Sequence, residues 1–168
     1  MIQEVYKKLQ ESPEFKEWKK LNPNSFLAHA FVMLEHNNVS EWQFGYYLPD
    51  KDRIVTFFMM KEVKASPESK IFKDKNEIKE LDMKLVKIDF MDALKKAKTL
   101  QEKKYSSQSP INIVAILQKI KVNSKWSQVW NITFVTKSFN TLNIKVDSGN
   151  GKILSHRLTS IFDFRATT

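Results

Sequence analysis

Residues 127–158 read SQVWNITFVTKSFNTLNIKVDSGNGKILSHRL, and together with Trp126 this stretch decides the fold. It reads as three strands in succession. Trp130, Ile132 and Phe134 fall on one face at period two, and Leu142, Ile144 and Val146 repeat the pattern, with Asn143, Lys145 and Asp147 on the opposite face. The links, Ser138-Phe139-Asn140 and Asp147-Ser148-Gly149-Asn150-Gly151, consist of residues that tolerate turn backbone angles. The stretch is a half-buried antiparallel meander and holds two of the three glycines of the chain.

A chain of 168 residues fits one domain, or two small units sharing a core. With 42% hydrophobic and 12% aromatic residues it can build a packed interior, which excludes a disordered tail. No apolar run approaches the roughly 20 residues of a membrane-spanning helix, so no membrane span is expected. The absence of cysteine removes disulfides, thiolate nucleophiles, thiolate zinc sites and iron–sulfur clusters. The first residues, MIQEVYKKLQES, lack the basic-then-apolar pattern of a signal peptide.

Net charge is +9 and uneven. Residues 1–88 carry 15 Lys/Arg against 14 Asp/Glu, whereas residues 89–168 carry 13 against 5, a balance of +8. A basic half could attract an acidic partner or a polyanion. The plainer reading, which the dispersed positions favour, is that lysines keep the outer sheet face soluble and protect strand edges.

Outward from the meander, Ile2, Val5, Tyr6 and Leu9 sit at helical spacing, and Ser12-Pro13 looks like a fresh helix start with serine as N-cap. Phe15, Trp18 and Leu21 continue the stripe, so a bent helix is predicted over about 2–20. From Ser25 to Leu34 the period becomes that of a strand. Asn37-Asn38 signals a turn, Trp42, Phe44, Tyr46 and Leu48 a second strand, Pro49 to Asp52 a tight turn, and Ile54 to Met60 a third strand. Residues 61–80 are polar and read as a surface loop, and Leu81 to Ile88 as a fourth strand. Asp89 should cap a second helix that buries Ala93, Leu94, Ala97 and Leu100 and turns Lys95, Lys96, Lys98, Lys103 and Lys104 outward. Val114, Ile116, Ile120 and Val122 give a further strand, and Ile153 to Phe164 the last.

The two halves then share one order: helix, long strand, Asn-containing turn, Trp-bearing strand, polar turn, apolar strand. Trp42 and Trp130 occupy similar places in it. The expected fold class is α+β: two helix-plus-antiparallel-sheet units of order α-β-β-β-β, each helix packed on a curved sheet. The units span 1–88, with the polar insert 61–80, and 89–168.

The run Trp130-x-Ile132-x-Phe134, then Leu142-x-Ile144-x-Val146-Asp147, then Gly151-Lys152-Ile153-Leu154, resembles the PepSY domain. Ile88-Asp89-Phe90-x-Asp92-Ala93-Leu94-x-x-Ala97 is similar to the start of the helix in that family. The resemblance covers 88–158, with 1–62 as a degenerate second copy and the insert 61–80 as a departure. It implies a cystatin-like fold, no catalysis, a cell-envelope or extracytoplasmic setting, and a role in restraining peptidases.

No chemical motif contradicts that. His29, His36 and His156 lack metal-ligand spacing, and His29 and His156 read as partly buried strand residues. There is no G-x-S-x-G, P-loop or dinucleotide fingerprint. Asp147 to Gly151 lacks the alternating acids of a calcium loop. No enzyme activity, metal or cofactor is therefore expected. Trp42, Tyr46, Tyr47, Trp126 and Trp130 interleave with Lys121, Lys125 and Lys137. That pattern could stack single-stranded nucleic acid, but these residues share faces with aliphatic neighbours, which favours core.

The leading expectation is a non-enzymatic domain that binds a protein or peptide through its sheet face or by strand addition at an edge, with Tyr47, Trp126, Lys121, Lys125 and Lys137 as candidate contacts. The alternatives are a small-ligand carrier with a pocket between helix and sheet, and a basic polyanion-binding module. An exposed edge strand could also support a dimer.

Overall fold

The computed structural model describes residues 1–36, 38–71 and 77–162. Among these residues three helices, α1 (Ile2–Glu11), α2 (Pro13–Leu21) and α3 (Phe90–Lys104), accompany ten strands. These are β1 (Phe26–Glu35), β2 (Asn38–Val39), β3 (Gln43–Leu48), β4 (Arg53–Met59), β5 (Val63–Ala65), β6 (Ser69–Lys70), β7 (Pro110–Val122), β8 (Lys125–Thr136), β9 (Asn140–Asp147) and β10 (Ile153–Ser160). All pair antiparallel in one sheet of order β10-β9-β8-β7-β1-β3-β4-β5, with β2 on β1 and β6 on β4. The class is α+β, helices packed on an antiparallel sheet.

The two halves of the chain join through β1 and β7. β1 pairs β7 antiparallel from His29↔Gln118 to Glu35↔Asn112. Such a pair is related by rotation about an axis normal to the sheet, which sends the helices of both halves to one face. Ala30, Val32 and Leu34 of β1, Ile113, Ala115 and Leu117 of β7, and Trp130, Ile132 and Phe134 of β8 all bury their side chains on that face. At the joint Trp130, fully buried, lies 6.0 Å from Trp42 and 5.8 Å from Phe90, and its indole N–H donates to the Ile88 carbonyl at 2.8 Å. The similar places of the two tryptophans in sequence thus become contact in space.

Local chemistry explains the boundaries. Ser12 is extended (φ −66°, ψ 141°) and its hydroxyl accepts from the Phe15 N–H, so the bent helix expected over 2–20 is two helices meeting at a cap. Leu21, expected in the apolar stripe, is 82% exposed at the end of α2. Asp89 occupies the N-cap position of α3 but does not cap it. Its carboxylate instead accepts from the Ile2 N–H at 2.9 Å, capping α1 across the molecule. The positive ends of α1 and α3 thus meet at one half-buried acid.

The strand expected at Leu81–Ile88 is an irregular crossover with a 3₁₀ turn at Met83–Leu85. Leu81, Met83 and Val86 are buried at no strand period, and side chains satisfy the backbone. Gln128 pairs with both the N–H and the carbonyl of Asp82, and Gln3 donates to Met83 and Val86 carbonyls. The 61–80 segment, expected as loop, contributes β5 and β6 to the sheet edge, because Val63 can bury beside Met59. Residues 72–76 of it lie outside the described residues, as do Asn37 of the expected turn and Phe164 of the expected last strand. Strand β10 ends at Ser160, and Phe162 is exposed against Phe139.

On the uncovered face, His29 lies across from Gly45. A Cβ at position 45 would overlap the imidazole, so the glycine makes room for it. Burial holds the His29 imidazole below its ordinary pKa.

Three outcomes follow from this arrangement. Asp89→Ala should cost about 1–2 kcal/mol in urea denaturation, with Asp89→Asn recovering much of the loss. Gly45→Ala should cost about 1–3 kcal/mol by overpacking, and the loss should shrink in a His29→Ala background. Because folded His29 binds its proton less readily than the unfolded chain does, stability should fall as pH drops through about 6.5 and level off below the folded value; His29→Gln should flatten that part of the denaturation profile.

Candidate recognition surface

Helix α3 lies over β8 and β9, and its outer flank borders β10. The flank and the start of β10 enclose an open groove of about 750 Å³. Its floor is Ile88, Leu100, Gly151 and Ile153, and its rim carries Lys95, Lys96 and Lys103, with Asp92 the acid among them. Gly151 has φ +74°, and a Cβ there would sit 2.7 Å from Lys96 Cε, so the missing side chain admits the alkyl stem of the lysine. At the far end the Tyr105 hydroxyl and His156 Nδ1 are 2.6 Å apart, tying the end of α3 to β10.

β10 is the last strand of the sheet, and among the described residues nothing pairs with its outer edge. The Ile161 N–H donates to the Phe139 carbonyl. By antiparallel alternation the N–H groups of Arg157 and Thr159 then point to β9, and those of His156 and Leu158 point outward. His156, Arg157 and Leu158 are the exposed residues of this strand.

Among the described residues, the cations around this edge make no ion pair. The ion pairs among the described residues, such as Lys7–Glu11 at 3.8 Å and Lys79–Glu77 at 2.7 Å, lie in the first half of the chain. In the second half, Asp89 is engaged by Ile2, and Asp147 accepts the Gly149 and Asn150 N–H groups at 2.8 and 3.0 Å, closing the hairpin turn. On the uncovered face Lys145 donates to Asn143, which bonds Asn131 and Thr133. Desolvation, and then the Arg157 guanidinium, pushes the Lys145 ammonium below its usual pKa.

The five residues singled out from sequence do not form one site. Lys121, Lys125 and Trp126 meet at the β7–β8 tip, where Lys121 pairs with Trp126 and Val122 with Lys125. Lys121 lies 5.4 Å and Lys79 5.3 Å from the Trp126 ring centroid. Sequence reading missed Lys79, which sits in a polar segment with no periodic signal. Lys137 is at the opposite end of β8, beside a small groove with Pro110, Ile111 and His36. Tyr47 is 9% exposed in the first half, on the uncovered face, and its hydroxyl donates to Asp52 at 2.6 Å. Of the other aromatics, Tyr46 and Trp130 are buried and Trp42 packs on the core, so Trp126, at 36% exposure, is the one tryptophan or tyrosine of that group open to solvent. The groove residues Lys95, Lys96 and Lys103 were read as outward-facing helix lysines, and only the register of β10 against α3 marks them as neighbours of an edge.

Among the described residues, no group of three or more His, Asp or Glu could hold a metal ion, and no helix is long and apolar enough to cross a membrane. No family model matches the sequence, and no curated protein matches it. Among solved structures, the chain is similar to a protein of Clostridium difficile 630 described as a "putative lipoprotein". The TM-score is 0.54 at 16% identity, over 87% of this chain and 90% of that one, a likeness of fold.

Proposed function

We propose that this chain is a non-enzymatic, PepSY-like binding domain that recognises a protein or peptide by adding one of its extended segments to β10. The observation that carries this reading is the free outer edge of β10, eight residues long, with His156 and Leu158 directing backbone N–H groups outward. Main-chain pairing supplies affinity in such a mode, and alternate side chains supply selectivity. The similarity of fold to a protein described as a lipoprotein is compatible with an envelope setting, where modulation of a peptidase or another envelope protein would be the family-like role. A carrier function draws less support. His29 is occupied in packing over Gly45, His156 in its bond to Tyr105, and the large groove beside α3 is open.

The test is selection of binders from a random decapeptide display library against the whole chain, followed by comparison with Leu158→Pro. Proline at 158 removes an outward N–H while sparing the bonds to β9. Selected peptides should bind this variant at least tenfold more weakly, with its melting temperature near that of the parent, and should slow hydrogen exchange at the His156 and Leu158 amides. Binders indifferent to Leu158→Pro, leaving those amides unprotected, would refute strand addition.

A further inference from the structure

We infer that the segment received at β10 is acidic: an extended peptide of a different protein, with Asp or Glu at positions on both faces of the added strand and an apolar residue seated over Leu100 and Ile153. This rests on the strand-addition reading above and specifies its partner.

The argument starts from the two sides of the edge. On the helix side, the groove presents Lys95, Lys96 and Lys103 above an apolar floor. On the uncovered side stand Arg157, in register with Asn143, and Lys145, whose ammonium donates to that same Asn143. A strand laid along β10 sends successive side chains alternately to these two sides, so both of its faces meet cations. None of these five cations lies within ion-pair distance of a carboxylate among the described residues. Asp92 shares the groove without an ion pair among the described residues, and Asp89 and Asp147 are held by backbone N–H groups. The site therefore carries five cations against one acid, Asp92, and its net charge is positive.

The same charges decide against the most available occupant, a second copy of this chain. Antiparallel pairing of β10 with β10 would bring Arg157, Lys145 and the α3 lysines of two copies together, and like charges in register destabilise such a pair. A neutral strand would satisfy the backbone but leave the cations unmatched. An acidic one satisfies both and gains association rate from the field of the +8 half.

Sequencing of the decapeptides selected on the wild-type chain, on Lys96→Glu/Lys103→Glu and on Leu158→Pro tests this. Both lysines are exposed, so the charge-reversal variant should keep its circular dichroism and melting temperature. Wild-type binders should be enriched in Asp and Glu, lose at least tenfold in affinity on the charge-reversal variant, and weaken severalfold between 50 and 500 mM salt, as screened charge pairs do. Selection on the charge-reversal variant should shift enrichment towards Lys and Arg. Neutral binders that still require the unblocked β10 edge would overturn the acidic partner and leave strand addition standing. Acidic binders insensitive to Leu158→Pro would overturn strand addition, and an empty selection would count against both.

Discussion

The pairing of β1 with β7 is the constraint on which the rest depends. Each half alone would be one or two helices on a small antiparallel sheet, with the edge of its longest strand open to solvent. Joining these strands antiparallel removes both central edges at once. It also fixes which face the helices share, and so creates one hydrophobic layer running from Phe57 through Val32 and Leu117 to Ile144. At the joint Trp42, Trp130 and Phe90, the first residue of α3, pack ring against ring. The one polar atom of the Trp130 side chain is matched by the Ile88 carbonyl.

From this follows the character of the crossover at 77–88. It must travel between the halves on the helix side, so it cannot be a strand of the sheet. Its backbone groups need partners from outside any ladder, and Gln3, Gln128 and the Ser148 carbonyl provide them. The carboxylate of Asp89 then pins the start of α1 to the start of α3. A capping residue chosen for one helix is recruited by another because the fold brings two positive helix ends together, and α1 offers the unsatisfied N–H.

These choices explain what the sequence disclosed. The meander at 127–158 was legible because its apolar residues alternate cleanly with polar ones. The α+β class followed, and so did the helix start at Ser12-Pro13. The direction of β7 was not legible. Val114, Ile116, Ile120 and Val122 marked a strand, but the residues it buries under the helices are Ile113, Ala115 and Leu117. A strand at the centre of a wide sheet is apolar on both sides, so period two cannot say which side carries the helices. Likewise Leu81, Met83 and Val86 look strand-like because burial alone selects apolar residues, and hydrogen bonds contributed by Gln3 and Gln128, distant in sequence, decide the geometry. For the candidate surface, the aromatic residues that drew attention were mostly core. The lysines of α3 became interesting only through their position beside β10, a tertiary fact that no local pattern encodes.

The cations around β10 admit two roles that are usually set against each other. Charged residues on an edge strand prevent one chain from pairing with its own copies, and that alone would explain Arg157. Protection, however, needs only a charge at the edge. It does not need an apolar floor beneath the lysines, nor a glycine at 151 whose missing side chain lets the stem of Lys96 lie along that floor. Nor does it need Asp89 and Asp147 to be engaged by backbone N–H groups instead of by lysines. Repulsion of like chains and attraction of an acidic strand are one electrostatic field acting on two kinds of neighbour. An edge built this way stays open in the free protein because it rejects its own copies, and it closes on a segment of opposite charge.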